Sequence, residues 1–143
     1  MIRILQECKS QDNPAEFQIG DVVTHIKYGY RGVIVHSDPS FQGDENWYLS
    51  NPTQPSKEQP WYFVLVDGNQ QVTHVAEENL KYDNSANLVV HPMLNLFFSG
   101  YDAELNRCTR NDVPWNHRNH PLLLYLSNHQ ILSHPPHLLS KVL

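Results

Sequence analysis

The sequence predicts a mainly β protein: a small barrel with one short helix near its C-terminal end and an appended tail. Three observations point there. Phe17–Phe41 holds two short strands rich in β-branched residues, with glycines at both ends of the pair. Gln59-Pro60-Trp61-Tyr62-Phe63-Val64-Leu65-Val66 is the strongest strand signal in the chain. An Asp67-Gly68 hairpin turn then leads to a return strand, Gln71–Ala76. Short, strongly bent strands suit a small barrel better than a flat sheet.

Residues 1–16 read as a lead-in, a brief apolar start followed by Gln11-Asp12-Asn13-Pro14. The first two strands fall at Asp21–Ile26 and Arg31–His36, joined by a turn at Tyr28-Gly29-Tyr30. Gly20 and Gly29 sit where a turn needs positive φ or close backbone approach. Gly32, early in the second strand, marks an expected bend or bulge. Ser37–Glu58 carries Pro39, Pro52 and Pro55 and little periodicity, so it reads as a long loop of the functional kind, with Trp47-Tyr48 tucked back onto the body.

In the Trp61–Val66 strand, Trp61, Phe63 and Leu65 point one way and Tyr62, Val64 and Val66 the other. Both faces are apolar, and a small barrel has one interior. The outer face must therefore be covered by a helix, by the tail or by another subunit. This makes Trp61, Tyr62, Phe63 and Val64 the candidate oligomer interface, with core as the competing reading for Trp61. Glu77–Leu80 reads as a polar turn and Leu88–Val90 as a short strand. His91–Gly100 reads as a helix with Pro92 at its first position and Gly100 just past its end. Its face of Met93, Leu96, Phe97 and Gly100 is expected to close one barrel mouth. The tail from Tyr101 is rich in Asn and His, with an expected helix at Pro121–Leu132. The chain thus divides into a lead-in (1–16), a barrel domain (17–100) and a C-terminal extension (101–143).

The 143 residues suffice for one domain with a real core. The formal charge is −5. Within residues 1–100, Arg3, Lys9, Lys27, Arg31, Lys57 and Lys81 face twice as many carboxylates. Nucleic-acid binding must therefore come from a local patch working against the overall field. Cys8 and Cys108, far apart and outside any C-x-x-C motif, read as free thiols of a cytosolic chain. With no signal-peptide pattern and no membrane-length apolar run, the expected location is the cytoplasm.

Nine histidines raise a metal reading, and five of them (His117, His120, His129, His134 and His137) fall in the tail. No H-E-x-x-H occurs and no cysteine completes a zinc set, so no metal site is assigned. His25 and His36 read as ordinary strand residues. There is no G-x-S-x-G, and neither cysteine has the surroundings of a catalytic thiol. Asp38, Glu77 and Glu78 are candidates for paired carboxylates, but a turn role suits Asp38 better, and a turn with a solvated face suits Glu77 and Glu78. No glycine cluster precedes a helix to cradle a phosphate. The chain reads as a non-enzyme without catalytic residues or cofactor.

What remains is an aromatic set sparse in charge. Lys27, Tyr28, Tyr30, Arg31, Trp47 and Tyr48 are the candidate ligand-binding residues, stacking on bases or filling a partner's pockets. Tyr30-Arg31, at the expected hairpin tip, is the best exposed pair. Arg31 either reaches a phosphate or base edge or pairs with Asp38 or Glu77.

Gly20-Asp21-Val22-Val23-x-His25-x-x-Tyr28-Gly29-Tyr30-Arg31-Gly32-Val33-Ile34 resembles the HspQ/YccV-like family, also called the hemimethylated DNA-binding domain. The resemblance continues through Asp38-Pro39-x-x-Phe41, Trp47-Tyr48, Gln59-Pro60-Trp61-Tyr62-x-Val64-Leu65-Val66 and Val75–Leu80, ending near His91-Pro92 and Phe97-Phe98. It implies an SH3-like barrel assembled as a small homo-oligomer, a trimer by preference. It implies two activities: binding hemimethylated DNA, or serving as a heat-shock adaptor for an ATP-dependent protease such as Lon. The family supplies no catalytic residues to carry over. The DNA reading requires clustered cations, drawn from Lys27, Arg31, Arg107, Arg110 and Arg118. The adaptor reading requires only an exposed apolar or aromatic patch.

Overall fold

The computed structural model describes residues 15–111, 113 and 120–122. The chain is mainly β. Strands β1 (Val22–His25), β2 (Arg31–Asp38), β3 (Trp61–Val66), β4 (Val72–Ala76) and β5 (Leu80–Tyr82) form one antiparallel sheet in the order β4-β3-β2-β1-β5. A second sheet pairs β6 (Phe98–Asp102) with β7 (Arg107–Arg110). Among the described residues these are joined by two short helices, α1 (Glu45–Ser50) and α2 (Leu94–Phe97), and a 3-10 turn at Glu77–Asn79.

The register explains how one sheet carries two apolar faces. Val22 pairs with Val33, Val33 with Leu65, and Leu65 with Val72, which sets these four side chains in one row. One position along, Ile34 pairs with Val64 on the opposite face. Phe17, Val23, Ile34, Tyr62, Val64, Val75 and Leu80 form one buried cluster. That cluster joins Val75 of one edge strand to Leu80 of the other, so the sheet curls into a barrel-like body around it.

The opposite face holds Val22, Val33, Val35, Leu65 and Val72. Phe97, Phe98, Cys108, Val89 and Leu122 pack onto it, drawn from α2, the β6–β7 hairpin, the segment before α2 and the described piece of the tail. The other end of that face carries Trp61, covered by Phe41, Trp47 and Tyr48. The chain therefore covers its own outer surface.

Two glycines fix close approaches. A Cβ on Gly32 would stand 2.4 Å from the Leu65 carbonyl oxygen and 2.5 Å from Val64 Cγ1. The register irregularity expected near it lies instead between Ile34 and His36. Gly20 has φ +100°, and its Cβ would meet the Cys108 carbonyl oxygen at 2.3 Å. Gly20 C=O accepts the Cys108 N–H at 2.7 Å, and Arg107 Nε donates to Asp21 Oδ1 at 2.6 Å. These contacts clamp β7 to the start of β1.

Several expectations need correction. Leu88–Val90 is not a strand: Val89 is buried, but Leu88 and Val90 are 60% and 68% exposed, and the Val90 N–H goes to the Asp67 carboxylate. The helix expected over His91–Gly100 shrinks to Leu94–Phe97, because Phe98 onward is taken up by pairing with β7. Of its predicted inward face Phe97 is buried, whereas Leu96 and Gly100 are exposed. The loop at Ser37–Glu58 contains α1, whose N-cap Asp44 accepts the Trp47 N–H at 2.9 Å. The polar turn expected at Glu77–Leu80 is the 3-10 turn, followed at once by β5. Cys8, His117, Arg118, His129, His134, His137 and most of the expected Pro121–Leu132 helix lie outside the described residues.

Candidate binding cleft at the edge of the sheet

The edge strand β4 runs beneath a small cleft with room for about 30 Å³, part of it open to solvent. On one side stand His25, Tyr28, Tyr30 and Asn79, from the β1–β2 turn and the 3-10 turn. On the other stand Asn51, Thr53 and Pro55, from the segment after α1. Trp61 and Thr73–Ala76 make the floor.

Each wall is held by specific bonds. Tyr30 OH donates to Thr73 Oγ1 at 2.9 Å, bridging the β1–β2 turn to β4. Burial and the nearby Tyr28 hydroxyl push the Tyr30 phenol well above its ordinary range against that bond. Tyr28 stacks on His25 at 4.6 Å, and His25 Nδ1 accepts the Lys27 and Tyr28 N–H groups. Desolvation, aided by Lys27, lowers His25 to about 4, so the ring is neutral. Across the cleft, Tyr48 OH donates to the Pro55 carbonyl at 2.7 Å and Trp61 Nε1 to the Ser56 carbonyl at 3.2 Å. Asn51 Oδ1 accepts from the N–H and hydroxyl of Thr53.

His74 joins the floor to the aromatic cover. Its ring lies parallel to Phe63 at 4.2 Å and contacts Trp61 at 5.2 Å. It is 7% exposed, its Nε2 has no hydrogen-bond partner, and desolvation lowers it to about 4.

The structure brings part of the predicted set together. Tyr28 and Tyr30 line the cleft, while Trp47 and Tyr48 sit behind it, packed on Trp61. Lys27 is exposed at the turn. Arg31 stands apart. Its guanidinium bonds Asp67 at 2.8 Å, Asp83 at 2.9 Å and the Asn87 carbonyl at 2.6 Å. Neither Asp38 nor Glu77 is its partner: Asp38 bonds His36, and Glu77 accepts the Tyr62 hydroxyl. Burial pushes the Asp83 carboxyl up, but hydrogen bonds from Arg31, Ser85 and Thr24 prevail and hold it at about 2. Trp61, Tyr62 and Val64 are fully buried within the chain, and only Phe63 is partly exposed. Both faces of the Trp61–Val66 strand are packed within the chain.

Sequence reasoning missed His74, Thr73 and the Asn51–Pro55 wall. The alternation of Val72-Thr73-His74-Val75 marks a strand but not which strand is an edge. Among the described residues, Lys57 pairs with Glu45 and Arg107 with Asp21, while Lys27, Lys81 and Arg110 carry no ion pair. No helix among the described residues is long and apolar enough to cross a membrane.

Over 88 residues the chain is 31% identical to mouse F-box only protein 21 and 30% identical to the human protein of that name. The aligned part covers 59% of this chain but only 14% of those relatives, so the likeness concerns one region of much longer proteins. A family model described as "Hemimethylated DNA-binding protein YccV like" matches residues 15–105, a span running from Phe17 of the inner cluster through both cleft walls and β6. The chain belongs to the YccV-like family.

Proposed function

We propose that this chain is a non-catalytic binding module of the HspQ/YccV type that engages hemimethylated DNA. Its membership of the YccV-like family carries the reading. The contact surface is the β1–β2 turn and the adjoining β5 edge. Lys27 is exposed there beside Tyr28, and Lys81 stands opposite Thr24 in the β1–β5 pairing. Both lack ion pairs among the described residues, so their charge is available to phosphates. Arg31 is not part of that surface, because its guanidinium is occupied by two carboxylates. With so few available cations on a chain of net charge −5, binding is weak.

The test is titration of matched hemimethylated, fully methylated and unmethylated duplexes across a salt series. A preference for the hemimethylated duplex at physiological salt, weakened in Lys27→Ala and Lys81→Ala, supports the proposal. Equal, weak binding that vanishes with salt refutes it.

A second reading is a protein-docking adaptor, for a protease or its substrates. Two observations favour it. Three of the cations among residues 15–111 are tied up in internal ion pairs, and the domain's relatives carry it as a small region of a protein named for its F-box. Homo-oligomerisation, a trimer by preference, and action in the cytoplasm belong to the same proposal. Light scattering at micromolar concentration tests the first, and a single-chain mass there refutes it.

A further inference from the structure

We propose that His91 and His120 form an acid-sensitive latch that holds the cover on the outer apolar face of the main sheet. The cover is the set of segments whose Val89, Phe97, Phe98, Cys108 and Leu122 pack onto Val22, Val33, Val35, Leu65 and Val72. Each histidine stands where the chain turns into one of those segments. At the entry to α2, His91 Nδ1 accepts the Met93 N–H at 3.1 Å and the His91 carbonyl accepts the Leu94 N–H at 3.1 Å. The other ring nitrogen, Nε2, donates to the Gln71 carbonyl at 3.0 Å, which ties this entry to the residue before β4. In the described piece of the tail, His120 Nδ1 accepts the Leu122 N–H at 3.2 Å. Its ring meets Phe97 at 5.5 Å and His36 edge-on at 5.6 Å, and Leu122 is buried. Neither histidine lies in a strand, so the latch opens without breaking a ladder bond of the main sheet.

A backbone N–H can only donate, so each Nδ1 carries a free lone pair and each ring is the neutral tautomer with its proton on Nε2. The chain makes the same two-residue turn with Asn51, Asn69 and Asn111, whose Oδ1 atoms accept the Thr53, Gln71 and Val113 N–H groups. Those amides do not titrate, whereas an imidazole does. A proton taken from solvent onto Nδ1 occupies the accepting lone pair, sets two N–H groups against each other and leaves a charge beside the apolar cluster. The neighbouring groups offer that charge no free partner. His36, which faces His120, is bonded to Asp38. Asp67 accepts the Val90 N–H next to His91 and is shared with Arg31. Arg110, opposite Phe98 in the β6–β7 pairing, is exposed and of like sign, and burial keeps the Cys108 thiol neutral. Burial lowers both histidines, against the Nε2 bond at His91 and with the help of His36 at His120. The closed latch is therefore neutral and the open one takes up protons, so closure weakens as pH falls below about 6.5.

Amide hydrogen exchange in the full chain tests the latch, read as protection factors at about pH 7.5 and pH 5 so that the chemistry of exchange itself cancels. Protection of Met93 and Leu122 should fall at least about tenfold between the two, in the unaltered chain and in His74→Phe alike. A His91→Asn/His120→Asn variant keeps an acceptor at both turns and removes the titration, so most of the fall should vanish there. No fall in the unaltered chain overturns the proposal. So does a fall that disappears in His74→Phe, which assigns it to global unfolding, or one that persists at full size in the double Asn variant. If that variant fails to fold, ring nitrogen chemical shifts of the unaltered chain decide the matter. Both rings should carry their proton on Nε2 at neutral pH and titrate below about 6.5. A proton on Nδ1 in either ring, or a midpoint at or above that value, overturns the latch.

Discussion

Replacing Arg31 with Met tests whether this arginine is a structural staple or a ligand contact. The substitution keeps an unbranched apolar stem and removes the guanidinium that joins the start of β2 to Asp67 in the β3–β4 turn and to Asp83 after β5. Two carboxylates then lose their common counter-ion, and Asp83 is only 8% exposed. Removing one partner of a fully buried pair costs about 3–5 kcal/mol. Arg31 is 20% and Asp67 23% exposed, so solvent screening reduces the expected loss to roughly 2–3 kcal/mol. Urea unfolding at pH 7 reads this directly, as a lower midpoint at unchanged slope. In an Arg31→Met/Asp83→Asn double variant part of the loss should return, because the stranded carboxylate is gone. A loss below about 0.5 kcal/mol in the single variant would mean that Arg31 contributes no more than an ordinary surface pair, and would refute the staple. Arg31 would then return to the list of ligand contacts.

Stability should fall as the solution is acidified below about pH 6.5. His74 is neutral in the fold, lowered to about 4, so between those limits the unfolded chain takes up a proton that the folded chain refuses. At pH 5 the loss from His74 alone is about 2 kcal/mol relative to neutral pH, and His74→Phe should flatten the profile; an unchanged profile counts against it. Gly32→Ala should cost about 3 kcal/mol or more by thermal unfolding, since the Leu65 carbonyl cannot move without breaking the sheet, and an unchanged midpoint rejects that packing. Tyr62→Phe should cost about 2 kcal/mol, because its hydroxyl donates to Glu77 at 2.6 Å and accepts the Phe17 N–H at 3.2 Å; urea unfolding decides it. In a Cys8→Ser background, Cys108 should resist thiol reagents at pH 8 until the protein unfolds, since burial pushes its thiol up to about 11; rapid labelling of the folded chain refutes this.

The sheet was legible where side chains alternate. β1, β2, β3 and β4 fall within a residue or two of their expected bounds, because β-branched runs flanked by glycine leave little else for the backbone to do. The two apolar faces of Trp61–Val66 were also readable, but what covers them was not. The cover is α1, too short to show a period, together with a β6–β7 hairpin whose turn rests on Asn106 at φ 50° and not on glycine. Asp44 followed by Glu45 was the one local sign of α1, as an N-cap with an acidic first turn. The partners of Arg31 lie 36 and 52 residues away, and no local pattern encodes such a pairing. For the cleft, Tyr28 and Tyr30 were visible as aromatics at a turn. Their opposite wall and floor come together only through the curl of the sheet.

The clamp between β7 and the start of β1 also sets an order of events during synthesis. Asp21 and Arg107 are separated by 86 positions, and Cys108 must arrive before Gly20 gains its partner. Until then the face bearing Val22, Val33, Val35 and Leu65 lacks part of its cover. A nascent chain that has delivered all five strands of the main sheet still presents a sticky surface to its neighbours. Closing so long a loop is slow relative to local pairing. The interval between the emergence of β5 and that of β7 is therefore the window in which this domain is most exposed to chaperones, to proteases and to association with other unfinished chains.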